Sequence, residues 1–135
     1  MVDIEQVIYD FLDSTGTDLK ELVDENIFVD RVEDFDGATE KGIMFHVKGG
    51  TADPDVPLFS PVVDFFCYGG TNTPDDSKVV YRALHDLLHA VQNESGDNGY
   101  IMSAVEITIG QTIIDPDAEW LQVFTSYQFQ IRATS

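Results

Sequence analysis

Residues 119–135 read EWLQVFTSYQFQIRATS, and from residue 120 onward the side chains alternate between two faces. A period of two is typical of a β-strand whose faces meet different surroundings. We predict that the core face holds Leu121, Val123, Tyr127, Phe129 and Ile131. The opposite face carries Trp120, Gln122, Phe124, Ser126, Gln128, Gln130 and Arg132. This second face is too polar for a core and too bulky for bare solvent, so we predict that it contacts another subunit.

The segments before this strand predict alternating helices and strands. Helical spacing of apolar residues marks residues 4–12 and, after the helix-starting pair Thr73 and Pro74, residues 74–91. The segment TDLKELVDENIF at residues 17–28 adds a short helical turn through Leu19, Leu22 and Val23. Strands are predicted at residues 42–50, at 58–70, and at 100–110 with Ile101, Val105, Ile107 and Ile109 on one side.

This pattern predicts an α+β fold in a single domain over residues 1–135. The expected order is α-β-β-α-β-β, with an antiparallel-dominated sheet of about four strands. The two main helices are expected to pack on one face of that sheet.

The charge of the chain argues against a function in nucleic-acid binding. It has 25 acidic and seven basic residues, for a net charge of −18, and this field repels a polyanion such as DNA. In molar salt the Debye length falls to about 3 Å and the internal repulsion largely disappears. The acidity therefore suits the salt-saturated cytoplasm of a halophilic archaeon, with an ordinary acidic protein as the alternative.

The N-terminus and the single cysteine carry no signal of their own. The acidic, amphipathic N-terminal segment predicts neither a signal peptide nor a membrane span. Cys67 lies in an apolar stretch, and we predict a small core residue instead of a nucleophile.

The sequence HDLLH at residues 85–89 places two histidines one helical turn apart, as in zinc proteases. Here Asp86 stands where those enzymes have glutamate, and no third ligand follows. Phosphate-binding loops, serine-nucleophile motifs and calcium-binding loops are also absent from the sequence. We therefore predict no catalytic residues, no metal site and no cofactor.

A helical projection gives the two histidines another role. Lys78, Arg82, His85 and His89 fall within about 60° of one another at roughly 100° per residue. They form either a solvated face or a docking stripe for the acidic surface of another copy.

The order of elements resembles that of the tail terminator (tail completion) proteins of long-tailed double-stranded DNA viruses. The resemblance runs through VDIEQVIYDFL, LVDENIFVDRV, SPVVDFFCYG with DDSKVVYRALHDLLHAV, and the closing pair of strands that begins at YIMSAVEITIG. It departs from that family in its acidity and in the long segment DRVEDFDGATEK.

The resemblance implies a non-enzymatic ring, commonly a hexamer, at the tail–neck junction of a virion. Such a ring is made in the host cytoplasm, caps the tail tube protein and joins the head-side neck (stopper) protein, with genome DNA passing through its lumen. The polar segments at residues 30–41 and 111–119 are the expected contacts to tube or neck. The alternatives are another neck protein (a head-completion or adaptor protein) and a small α+β ligand-binding domain.

Overall fold

The computed structural model describes residues 4–13, 17–30, 40–52, 58–70, 74–89, 94–96, 99–114 and 121–133. It contains three helices, α1 (Ile4–Leu12), α2 (Asp18–Val23) and α3 (Pro74–His89). Its strands are β1 (Ile27–Val29), β2 (Lys41–Ala52), β3 (Leu58–Gly69), β4 (Glu94–Gly96), β5 (Gly99–Ile114) and β6 (Leu121–Ala133).

The strands form one six-stranded sheet in the order β1-β2-β3-β6-β5-β4. Strand β1 runs parallel to β2, and the other four neighbouring pairs are antiparallel. The α+β class is confirmed, but the sheet is mixed and has six strands instead of about four. The sequence pattern missed β1 and β4 because three residues are too short to show a period.

Capping and charged residues explain where the helices α2 and α3 begin and end. The Thr17 hydroxyl accepts a hydrogen bond from the Lys20 N–H at 3.2 Å, which caps α2. Helix α3 begins at Pro74, has Asp75 and Asp76 in its first turn, and ends at His89, as the helix dipole favours. The two main helices are therefore found as α1 and α3, and the predicted short helical turn is found as α2.

A single hydrophobic core lies between the helices and one face of the sheet. The ring of Phe65 lies at its centre, 5.8 Å from that of Tyr127, 6.0 Å from that of Phe45 and 6.1 Å from that of Phe129. The predicted core face of β6 is confirmed for Val123, Tyr127, Phe129 and Ile131, which are buried, whereas Leu121 at the start of the strand is only partly buried.

Strand β5 departs from the predicted pattern. Ile101 is buried opposite Ile131, whereas Val105, Ile107 and Ile109 are exposed. The pairing of β5 with β6 is irregular between Ile101 and Ser103, and an extra residue there reverses the side on which the following residues fall. The prediction that these four residues share one side is therefore wrong.

Two further sequence-based expectations concern the interior and the membrane. Cys67 is fully buried, and burial raises the pKa of its thiol, so the predicted core role is confirmed. Among the helices of the described ranges, none has the length and apolar character needed to cross a membrane.

Candidate subunit interface

The helices cover one face of the sheet, and the opposite face, called the open face below, is formed by side chains that alternate with the buried ones. In register, Met44, Phe66 and Phe124 form one row across β2, β3 and β6. The next row is His46, Asp64 and Ser126. Gln122, Gln128, Gln130 and Arg132 continue the face along β6, as the alternation in the sequence predicts.

The open face combines aromatic contacts with a small polar centre. The rings of Phe66 and Phe124 lie 5.3 Å apart and both side chains are partly exposed. Beside them, the Ser126 hydroxyl donates to Asp64, whose Oδ1 lies 3.2 Å from Lys48 Nζ. The one carboxylate in the middle of the face is therefore already paired.

Strand β5 adds an apolar ridge, defined here as Val105, Ile107 and Ile109. Their side chains are 60%, 52% and 77% exposed, and Val105 lies opposite Gln128 of the open face. Contiguous exposed apolar surface on a soluble protein is typical of a contact with another molecule.

The distribution of charge singles out the same surface. The four long strands, β2, β3, β5 and β6, hold only two of the 25 acidic residues, Asp64 and Glu106. Glu106 is turned toward α3, so Asp64 is the only carboxylate that these strands place on the open face. In a chain of net charge −18, solvated surface is acidic, and depletion of charge is typical of the centre of an interface.

The predicted contact residues of β6 differ in how far their side chains are exposed. Gln128, Gln130 and Arg132 are exposed, and Phe124 is partly exposed. Gln122 is 5% exposed, and its Oε1 has no hydrogen-bond partner among the described residues. Trp120 lies outside the described residues.

The predicted docking stripe on α3 is only partly a surface. Lys78, Arg82 and His89 are exposed, but His85 leans onto the sheet, with Nδ1 2.9 Å from the Tyr127 hydroxyl. The two histidine rings stack at 5.5 Å, and the described residues contain no group of three or more metal-ligating side chains.

His85 belongs to a polar cluster around Glu106, which the sequence did not reveal. The Tyr81 hydroxyl donates to Glu106 Oε2 at 2.7 Å, and Thr125 Oγ1 lies 2.7 Å from the same oxygen. His85 Nδ1 lies 3.7 Å from Glu106 Oε1. This cluster fixes α3 to β5 and β6.

The cluster also changes the acidity of its phenols. Burial, followed by the hydrogen bond to Glu106, raises the pKa of Tyr81. Burial, followed by the charge of Glu106, raises the pKa of Tyr127. No sequence motif marks this cluster, because its members come from α3, β5 and β6.

On the helix side, α2 and α3 enclose a groove of about 430 Å³. Its apolar lining consists of Leu22, Val79 and Ala83. The other lining residues are charged, namely Asp18, Glu21, Arg82 and Asp86. The groove therefore combines apolar side chains with an excess of negative charge.

Most residues of the two polar segments predicted to contact tube or neck are outside the part of the chain that the structure describes. Residues 31–39 and 115–119 are outside the described residues. Gln111 to Ile114 are part of strand β5 and not of a loop, which shortens the second segment.

Comparison with known proteins gives a structural likeness. No family model and no curated protein matches the chain. The fold is similar to that of a chain in the structure described as "Virion of native gene transfer agent (GTA) particle", with a TM-score of 0.65 and 13% sequence identity. The match covers 94% of this chain and 92% of that one. At this identity the likeness shows a shared fold over nearly the whole length of both chains.

Proposed function

We propose that this chain is a structural virion protein, a tail terminator that forms a ring at the junction between tail and neck. The observation that carries the proposal is the open face, a surface of aromatic, amide and exposed apolar side chains with few carboxylates, on a protein of net charge −18. Such a surface needs a protein partner, and a ring of identical copies supplies one at every subunit.

The comparison supports a virion role, because the similar chain belongs to a virion particle and matches over 94% of this protein. The architecture supports a terminator over a head-completion (stopper) protein. A stopper is expected to be dominated by a small β-barrel, whereas this sheet is open and has three helices on one face.

The acidity fits a channel for DNA. A lumen that repels phosphate lets the genome pass without binding, while the ring itself contacts the tail tube protein on one side and the stopper on the other. In this proposal the protein acts through shape and charge, and it needs no enzyme activity and no cofactor.

The proposed subunit contacts include the described residues of β6 on the open face. Phe124, Gln128 and Gln130 offer an aromatic ring and two amides, which form contacts that survive in molar salt better than ion pairs do. Arg132 adds an exposed cation, and Gln122 stays a predicted contact that is limited by its burial. Lys78, Arg82, His85 and His89 stay predicted contacts on α3, with His85 limited by its position against the sheet.

Mass measurement in molar and in dilute salt tests the proposal. We expect a closed ring of about six copies in molar salt, as terminator rings are expected to have, and weaker assembly in dilute salt, where copies of a −18 chain repel one another. Purified tail tubes provide the second arm, since a terminator binds only the finished tube end. A protein that stays monomeric in molar salt, with and without tubes, contradicts the proposal, and binding to a head-side connector alone indicates an adaptor.

A further inference from the structure

We propose that the open face of one copy binds the α2–α3 groove of the next, so that subunits join head to tail. This inference rests on the proposed ring and specifies the pair of surfaces that builds it. It follows from three properties of the two surfaces: their apolar side chains, their charges and their positions.

Both surfaces expose apolar side chains to solvent. The groove exposes Val79, whose side chain is 41% exposed, with Leu22 and Ala83 beside it. The open face exposes Val105 together with the rest of the apolar ridge. Of the exposed large apolar side chains in the described part of the chain, Val79 is on the helix side and the other three are on β5. Joining the two surfaces removes all four from water.

The charges are complementary. Three carboxylates, from Asp18, Glu21 and Asp86, surround the groove against one guanidinium, that of Arg82. The open face offers Arg132, which is exposed, and Lys48, which is 47% exposed beside Asp64. Two open faces placed against each other would instead bring together the same cations, and two grooves would bring together six carboxylates.

The positions of the surfaces make the contact directional. The groove lies between the helices on one side of the sheet, and the open face lies on the other side. Contact between two different patches on identical copies is heterologous, and it generates a closed ring when the rotation between neighbours closes.

A pair of complementary variants tests this inference. Val105→Asp places a carboxylate on the open face, where it meets the acidic groove of the neighbour. Val79→Lys places an ammonium group in the groove, where it meets the cations of the neighbour's face. Both side chains are exposed in the single chain, so thermal unfolding of the monomers should match that of the wild type.

We expect each variant alone to be monomeric by sedimentation velocity in dilute salt, where the wild type begins to assemble. An equimolar mixture should assemble into complexes that hold both chains in equal numbers. In that mixture one contact is the native pair of surfaces, and the other joins the introduced carboxylate of the V105D chain to the introduced ammonium group of the V79K chain.

The results separate the two levels of the proposal. If the wild type assembles and the Val79→Lys variant assembles equally well, the groove is not the partner of the open face and this inference is overturned, while the ring stands. Failure of the mixture to assemble, with both single variants monomeric, also overturns it. A wild-type chain that does not assemble at all contradicts the proposed function itself.

Discussion

Gly110 and Tyr81 offer a sharp test of how α3 is fixed to the sheet. A Cβ atom at position 110 would lie 2.6 Å from Tyr81 Cζ, whereas ordinary contact begins at 3.4 Å, so the ring would have to move by about 0.8 Å. The Tyr81 hydroxyl donates to Glu106 at 2.7 Å and accepts from the Gly110 N–H at 3.3 Å. Gly110→Ala therefore disturbs a hydrogen bond to a largely buried carboxylate.

The size of the effect follows from two opposing contributions. Loss of a hydrogen bond to a charged group costs about 1.5–3 kcal/mol. Replacing glycine by alanine in a strand raises the free energy of unfolding by about 0.5–1 kcal/mol, because glycine loses more conformational entropy on folding. We expect Gly110→Ala to lower the free energy of unfolding by about 1–2 kcal/mol.

A double-mutant cycle with Tyr81→Ala isolates the contact. Without the phenol ring there is no clash, so Gly110→Ala should now raise the free energy of unfolding by about 0.5–1 kcal/mol. Urea is the suitable denaturant because guanidinium is itself a salt and would alter the stability of an acidic protein. An equal loss of stability in both backgrounds would refute the reasoning.

The remaining predictions concern the interface, the buried groups and α3. Changing Val105, Ile107 and Ile109 together to serine should weaken each subunit contact by roughly 3 kcal/mol, which raises the dissociation constant about a hundredfold, and should leave the unfolding of the monomer unchanged. The control is the double change Glu5→Ser and Gln6→Ser on α1. If both variants assemble equally well, the ridge is not part of the interface. In an alkaline titration of tyrosinate absorbance, Tyr127→Phe should remove a phenol that ionises above the usual range of tyrosine, because the pKa of Tyr127 is raised in the folded state. The contribution of this group to stability is present below about pH 10 and is lost as the pH rises, and a variant that titrates like the wild type contradicts this. The Cys67 thiol should react with a thiol reagent only after unfolding, and fast reaction of the native protein would contradict its burial. Lys78→Glu, which leaves Arg82 of the α2–α3 groove unchanged, takes the net charge from −18 to −20 and should weaken assembly with the fold intact; normal rings would remove Lys78 from the interface.

The two long C-terminal strands show what a sequence pattern can and cannot reveal. The alternation in β6 predicted its core face because Val123, Tyr127, Phe129 and Ile131 follow one another without an irregularity. In β5 the same reasoning failed after Ile101, because an irregular pairing changes the parity and leaves no mark in the composition. The face of a strand is therefore predictable only as far as its first bulge.

The candidate interface was likewise predictable from the sequence only in part. The amides and aromatics of β6 marked the open face from the sequence alone, since their chemistry fits neither core nor solvent. His85 looked like part of an exposed stripe because a helical projection does not contain Tyr127 and Glu106, its neighbours from distant strands. The α2–α3 groove was also beyond prediction, because it depends on how two helices pack.

The two edges of the sheet offer a second route by which copies of this protein can associate. The outermost strands, β1 and β4, are each three residues long, and they pair only with Ile43–Phe45 of β2 and Gly99–Ile101 of β5. Beyond Ile101, strand β5 therefore has no partner strand on its outer side among the described residues, and its free backbone groups lie beside the exposed side chains of the apolar ridge. A long apolar edge of this kind is a template for main-chain pairing with another chain, so copies that are not yet assembled are expected to aggregate through β5.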